Sequence, residues 1–251
     1  LKNIIITFIY SLSLTFAIAQ EGEKNIWRVS YMKPKAGMVD QFEKGLKDHV
    51  EKHHGSGGWP EYHFRVISGP NFGSYMKFTG PHSWKSFDDR VRSQADINHS
   101  KKYLNPYMEW GNSSPAFWVY SEELSYKPSQ WKLAHLSYNY TVPGTGNEYI
   151  EVLKSNKKVK VTNKSNNPHE IYKIVSGQNP DTWVWAYPME KMEDMSATSG
   201  ISGGGSGDAE KVLGKSESDR INKIYKKIVK SRMREVIRFR AELSTPAGDN
   251  Q

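Results

Sequence analysis

His49 and His53 stand four residues apart in the run Met38–His54, where Val39, Phe42, Leu46, His49 and His53 recur at three- and four-residue steps. That spacing predicts a helix with both imidazoles on one face, continuing an apolar stripe that points toward a sheet. Two imidazoles so placed suit general-base catalysis, or metal ligation if His54 or His63 supplies a third donor. No HExxH motif is present, because Glu51 falls one place too late between the two histidines. The pair His49 and His53 is therefore read as catalytic, with no metal expected. A helix end whose histidines simply meet solvent is the plainer alternative.

A second group of residues suits ligand binding. Trp84, His63, Tyr75 and His82, with Tyr103 nearby, could line a pocket. Trp183, Trp185 and Tyr187 alternate along one run, so their rings share one sheet face. That face would suit a flat or sugar-like ligand, or packing against another sheet. Two basic pairs, Arg28 with His135 and Arg65 with Lys173, would form a polar patch inside a barrel or lie on the surface. The run Ala209–Ser216 resembles a phosphate loop, but Ala209 replaces its first glycine and no strand precedes it.

The elements that must position these groups occur twice. Val29-Ser30-Tyr31 reappears as Leu136-Ser137-Tyr138, and Val66-Ile67-Ser68-Gly69 as Ile174-Val175-Ser176-Gly177. Asn71 matches Asn179. Glu123-Leu124-Ser125 and Pro128 reappear as Glu242-Leu243-Ser244 and Pro246. The spacing between matches stays within one residue until the Gly/Ser-rich tract 199–207, a flexible insertion or a lid, and grows across it. In the first copy the pattern predicts strands at 26–32, 62–68, 74–79 and 117–124, and helices at 38–54 and from 81 to about 111. Ser83 is a candidate cap for the second of these helical stretches. In the second copy it predicts strands at 131–140, 171–176, 182–187 and 236–243, and helices at 147–161 and 218–234. Asn156 and Lys160 stand where the first copy has His49 and His53. The expected fold is α+β: two ferredoxin-like β-α-β-β-α-β repeats (20–128 and 129–251) packed sheet to sheet.

Composition narrows the function classes. The chain has 251 residues and no cysteine, which excludes disulfides, thiolate metal sites and a cysteine nucleophile. The formal charge of +8 is spread over 154–164 and 211–240 without a nucleic-acid motif, so no nucleic-acid partner is expected. Residues 1–19 read as a cleaved secretory signal: Lys2, an apolar run, then Ala17-Ile18-Ala19. The mature protein is expected in the periplasm or outside the cell, with no membrane contact after cleavage. Asn98, Asn112, Asn139 and Asn163 each begin a glycosylation sequon.

The strand followed by the corner at Pro34 and Gly37, Phe42 in the next helix, and the Gly69–Phe78 hairpin resemble the dimeric α+β barrel superfamily. The antibiotic-biosynthesis-monooxygenase and NIPSNAP-like groups are the most similar in pattern. The resemblance implies a single-chain barrel, monomeric with pseudo-dimeric halves, and a small molecule held between helices and sheet. It also implies three functional alternatives: a small-molecule-binding protein, a cofactor-independent monooxygenase or isomerase acting on an acidic or aromatic substrate, and a non-catalytic interaction protein. Haem-degrading members need an Asn, a Trp and a His in set places. Only Trp84 is offered here for such a set, so no cofactor is expected.

Overall fold

The computed structural model describes residues 23–55, 58–109, 115–177, 179–198 and 206–246. The signal-like segment 1–19, the sequon at Asn112 and most of the Gly/Ser tract lie outside these residues. The first half runs β1 (Ile26–Pro34), α1 (Val39–His53), β2 (Glu61–Ser68), β3 (Tyr75–His82), α2 (Trp84–Asp89), α3 (Gln94–Tyr103), β4 (Met108–Glu109) and β5 (Ala116–Tyr120). The second runs β6 (Leu133–Thr141), α4 (Gly146–Thr162), β7 (Glu170–Ser176), β8 (Thr182–Met189), α5 (Met195–Thr198), α6 (Ser206–Leu213), α7 (Lys215–Ile228) and β9 (Val229–Phe239).

Eight strands close into an antiparallel barrel in the order β3-β2-β9-β6-β8-β7-β5-β1, with β1 returning to β3 and β4 appended to β1. The halves were expected to pack sheet to sheet. They also join edge to edge: Phe64 pairs with Phe239 and Val66 with Ile237 at one seam, Trp118 with Ile174 and Tyr120 with Tyr172 at the other. Closure of this kind leaves no barrel edge with unpaired amides and carbonyls. The interior is filled by residues such as Phe64, Phe78, Trp118, Leu136, Tyr172 and Ile237. Burying each such side chain contributes about 1.5–3 kcal/mol.

The matched sequence motifs occupy matched places. Tyr31 and Tyr138 meet inside the barrel with their hydroxyl oxygens 2.8 Å apart, and Tyr31 donates to Glu235 at 2.5 Å. Leu124, which follows β5, packs in the apolar cluster of the second half, and Leu243, which follows β9, in that of the first. Ser125 Oγ accepts from the Ile171 amide at 2.9 Å, and Ser244 Oγ accepts from the His63 amide at 2.9 Å. Gly69 and Gly177 both have positive φ, 107° and 116°. A Cβ on Gly69 would strike Arg234 and Glu235 of β9, and one on Gly177 would strike Ala116 of β5.

Most elements fall where periodicity placed them, and Ser83 caps α2 by accepting from the Ser86 amide. Several boundaries differ: β9 ends at Phe239 rather than Leu243, and Met108–Glu109, inside the stretch predicted helical, forms β4. The last helix stops at Ile228 rather than Arg234, because its apolar stripe (Ile221, Ile224, Tyr225, Ile228) ends there. From Val229 the chain alternates with period two and pairs with β6. The strand predicted over 117–124 ends at Tyr120, where the chain turns so that the Ser125 amide can bond the Ser121 carbonyl.

Candidate functional site

The two halves treat the space between helices and barrel differently. In the first half Gly45 lets α3 lie directly against α1. A Cβ there would collide with the Tyr103 carbonyl oxygen and lie 3.0 Å from its carbon. The corresponding position in α4 is Val152, and a cavity of about 780 Å³ remains beneath α4, α6 and α7. That volume falls within the usual range for small-molecule sites.

The second-half cavity has a distinct chemistry. Trp185 and Tyr187 of β8 form part of its wall, with Tyr225 of α7. Trp185 is fixed by donating its indole N–H to the Tyr149 hydroxyl at 2.9 Å. Its cations are Lys160 of α4 and Arg232 and Arg234 of β9, and Asp208 is the one carboxylate residue among the lining residues. Lys160 donates to the Asn167 carbonyl at 2.9 Å and lies 5.3 Å from the Tyr187 ring centre. Burial pushes the Lys160 ammonium down to about 8. His135, on β6, stacks on Tyr187 with ring centres 5.8 Å apart, and burial, aided by Arg234, pushes its imidazole down to about 4.

The basic pairs expected inside the barrel face the other way. Val29, Leu136 and Val66 fill the interior, so by strand alternation Arg28, His135 and Arg65 point into the helical layer. Lys173 does likewise, lying over the outward Trp183. Of the three alternating aromatics, Trp183 packs under α4 and α7, while Trp185 and Tyr187 line the cavity.

The first-half histidines gather into a buried polar cluster. His49 Nε2 lies 3.3 Å from His54 Nε2 and 3.3 Å from Asp96 Oδ1. His49 Nδ1 lies 3.2 Å from His99 Nδ1, and the His53 ring centre is 5.2 Å from those of His49 and His99. Arg92 forks onto Asp96 with two bonds of 2.8 Å. Burial opposes charge on Asp96, but the Arg92 guanidinium holds its carboxyl below the usual range. Burial pushes the His49 imidazole down to about 3, so it is neutral at physiological pH. Glu61 lies behind the cluster, 3.7 Å from His54 and 3.8 Å from His63, and accepts from Lys77 at 2.9 Å. Burial opposes its charge too, but Lys77 with the two histidines holds its carboxyl far below the usual range.

The residues expected to bind ligand are dispersed. Tyr75 is buried beneath Phe42 and bonds Glu43 and Arg65. His63 is fully buried, and its Nε2 lies 3.8 Å from Glu61, which links it to the cluster. His82 stacks on Trp59 with ring centres 3.7 Å apart. Trp84 is half exposed on α2, against Phe117. Asp96 and His99 were not anticipated, although their i, i+3 spacing after the cap Ser93 marks one helix face. Arg232 and Arg234 fall within the helix that periodicity predicts over 218–234, and the structure puts them on β9 instead, facing the cavity.

No protein-family model matches the chain, and no curated protein matches it in sequence. Solved structures share its fold. A candidate monooxygenase from Fusobacterium nucleatum superposes with a TM-score of 0.54 at 13% identity, covering 85% of this chain and 91% of that one. A candidate monooxygenase from Lactobacillus acidophilus gives 0.54 at 8% identity, covering 90% and 98%. A candidate chlorite dismutase gives 0.51 at 10% identity, covering 87% and 96%. At these identities the likeness shows the dimeric α+β barrel fold and no activity.

Proposed function

We propose that this chain is a small-molecule-binding protein of the dimeric α+β barrel type, and that its ligand is a flat organic anion held in the second-half cavity. One observation carries this reading. The cavity of about 780 Å³ brings three cationic side chains and an aromatic wall together, with one carboxylate residue in its lining. Lys160, Arg232 and Arg234 would receive a carboxylate or sulfonate, while Trp185, Tyr187 and Tyr225 would take the planar body. The halves are read as tandem ferredoxin-like repeats, which the reciprocal Ser125 and Ser244 bonds support. The protein is further proposed to be exported, on the strength of the signal-like 1–19; N-terminal sequencing of protein from periplasmic and culture fractions tests this.

Calorimetric titration with 2-naphthoate and its uncharged isostere 2-naphthamide tests the ligand class. The naphthoate should saturate one site and bind about tenfold more tightly or better, as an added charge-assisted hydrogen bond of roughly 1.5–3 kcal/mol requires. Equal affinities, or no saturation by either, would remove the reading.

An oxygenase or isomerase reading has one observation in its favour. His135 is a buried, neutral imidazole on the cavity wall, as a general base must be before it takes a proton. In that reading the base is His135 rather than His49 or His53. Replacing His135 with Gln should then abolish solvent-deuterium exchange into a bound carbon acid while leaving its affinity within a few fold.

A further inference from the structure

We propose that the first half carries a transition-metal site of the zinc class, with His49 Nε2, His54 Nε2 and Asp96 Oδ1 as donors. Its first support is spacing. Metal–nitrogen bonds of about 2.05 Å in a tetrahedron place neighbouring donors about 3.3 Å apart. The His49–His54 and His49–Asp96 donor pairs are each separated by 3.3 Å, and the three donors all lie within 4.8 Å of one another. They come from three places: α1, the turn after it, and α3.

The second support is the orientation of the lone pairs. His54 Nδ1 lies 2.9 Å from the Trp59 carbonyl oxygen, which can only accept, so the ring proton sits on Nδ1 and the Nε2 lone pair faces His49. His49 has its own outer partner, because its Nδ1 faces His99 Nδ1 at 3.2 Å. Asp96 is held by the Arg92 fork. Every donor thus has the outer-shell partner that metal-binding side chains use to fix their aim. The donors are between 3% and 6% exposed. A cleft of about 470 Å³ walled by His53, His54, Trp59 and Asp96 opens beside them, giving an entry path and room for a water as fourth ligand.

The donor chemistry selects the ion. Arg92 and Lys77 already balance Asp96 and Glu61, so the local field offers little to a hard cation. Two imidazoles and one carboxylate suit zinc, cobalt, nickel or copper rather than magnesium or calcium. Without an ion the same residues form a hydrogen-bonded chain, His99–His49–His54–Trp59, and the test separates the two states.

The full chain, purified without a polyhistidine tag and stripped with chelator, is titrated with Co(II) and followed by its visible d–d bands. One equivalent should bind with the intense bands of a tetrahedral site, Zn(II) should displace it, and excess Mg(II) should not. Substitutions H49Q, H54Q and D96N should abolish the bands. H99Q, at a partly exposed position and hence tolerated by the fold, should weaken binding roughly 10–100-fold as loss of an outer-shell partner does. Failure of the stripped wild-type chain to take up one equivalent of either ion at micromolar concentration overturns the site, whatever the variants do. Unchanged affinity in folded H54Q and H99Q overturns it equally.

Discussion

Raising the pH through 8 should loosen an anion from the second-half cavity, because the Lys160 ammonium loses its proton there. Burial has moved this group from its ordinary 10.5 down to about 8. Its neighbours titrate elsewhere: His135 is pushed down to about 4 and His169 to about 3, while burial raises the Tyr187 phenol. The charged fraction of Lys160 then falls from about 0.9 at pH 7 to about 0.1 at pH 9, so affinity for 2-naphthoate should drop about tenfold, or 1.4 kcal/mol. The decline should level off once the uncharged form dominates binding. A carboxylate about 5 Å from the ammonium interacts by about 3 kcal/mol at an effective dielectric of 20, which sets the floor about a hundredfold below the acid limit. Calorimetry from pH 6.5 to 9.5 gives the profile, with Lys160→Met as control, and the variant should be flat and start near the floor. A flat wild-type profile, or a variant that keeps the same slope, would refute the role of Lys160 and the placement of the anion beside it.

Other outcomes follow from the packing. Gly45→Ala should cost about 1–3 kcal/mol in urea unfolding by forcing α3 off α1, and should weaken Co(II) uptake because Asp96 moves with α3. His169 is buried and donates to the Leu124 carbonyl at 3.1 Å, with its pKa pushed down to about 3 by burial and by Lys160. The unfolded chain therefore binds a proton that the fold does not, so this contribution is fully present above about 6.5 and declines as pH falls toward 3. His169→Gln should remove up to about 1.4 kcal/mol per pH unit from the slope of unfolding free energy between pH 6 and 4. Ser125→Ala and Ser244→Ala should each cost about 1 kcal/mol, in matched amounts, since each hydroxyl satisfies one strand amide of the opposite half.

The barrel was legible because its strands announce themselves by period. Val29, Val66, Leu136 and Ile174 fall on the inner face and the polar residues between them on the outer. The closing seams were not, because edge pairing between β2 and β9 depends on register that no local pattern carries. The last helix was overextended because 229–234 is as rich in lysine and arginine as the helix before it. Only the alternation of Met233, Glu235 and Ile237 toward the interior shows the change of period. That overextension concealed Arg232 and Arg234 as cavity residues.

The histidine pair pointed to a real cluster, but the larger open space lies in the other half. Asn156 and Lys160, which replace His49 and His53 there, line the cavity. Where α1 has Gly45 against the end of α3, α4 carries Val152 in the cavity lining. A glycine in sequence does not reveal that a second helix will occupy the room it leaves. Asp96 and His99 join His49 and His54 only because α3 lies close against α1, an approach that Gly45 permits.

A crystal of the full chain soaked with 6-bromo-2-naphthoate, with data collected at the bromine edge, locates the ligand without assumptions about affinity. The proposed function predicts one dominant anomalous peak between α4, α7 and the outer face of β8, with the carboxylate toward Lys160, Arg232 or Arg234. A dominant peak in the first-half cleft beside Trp59, or none within the second-half cavity, would contradict it.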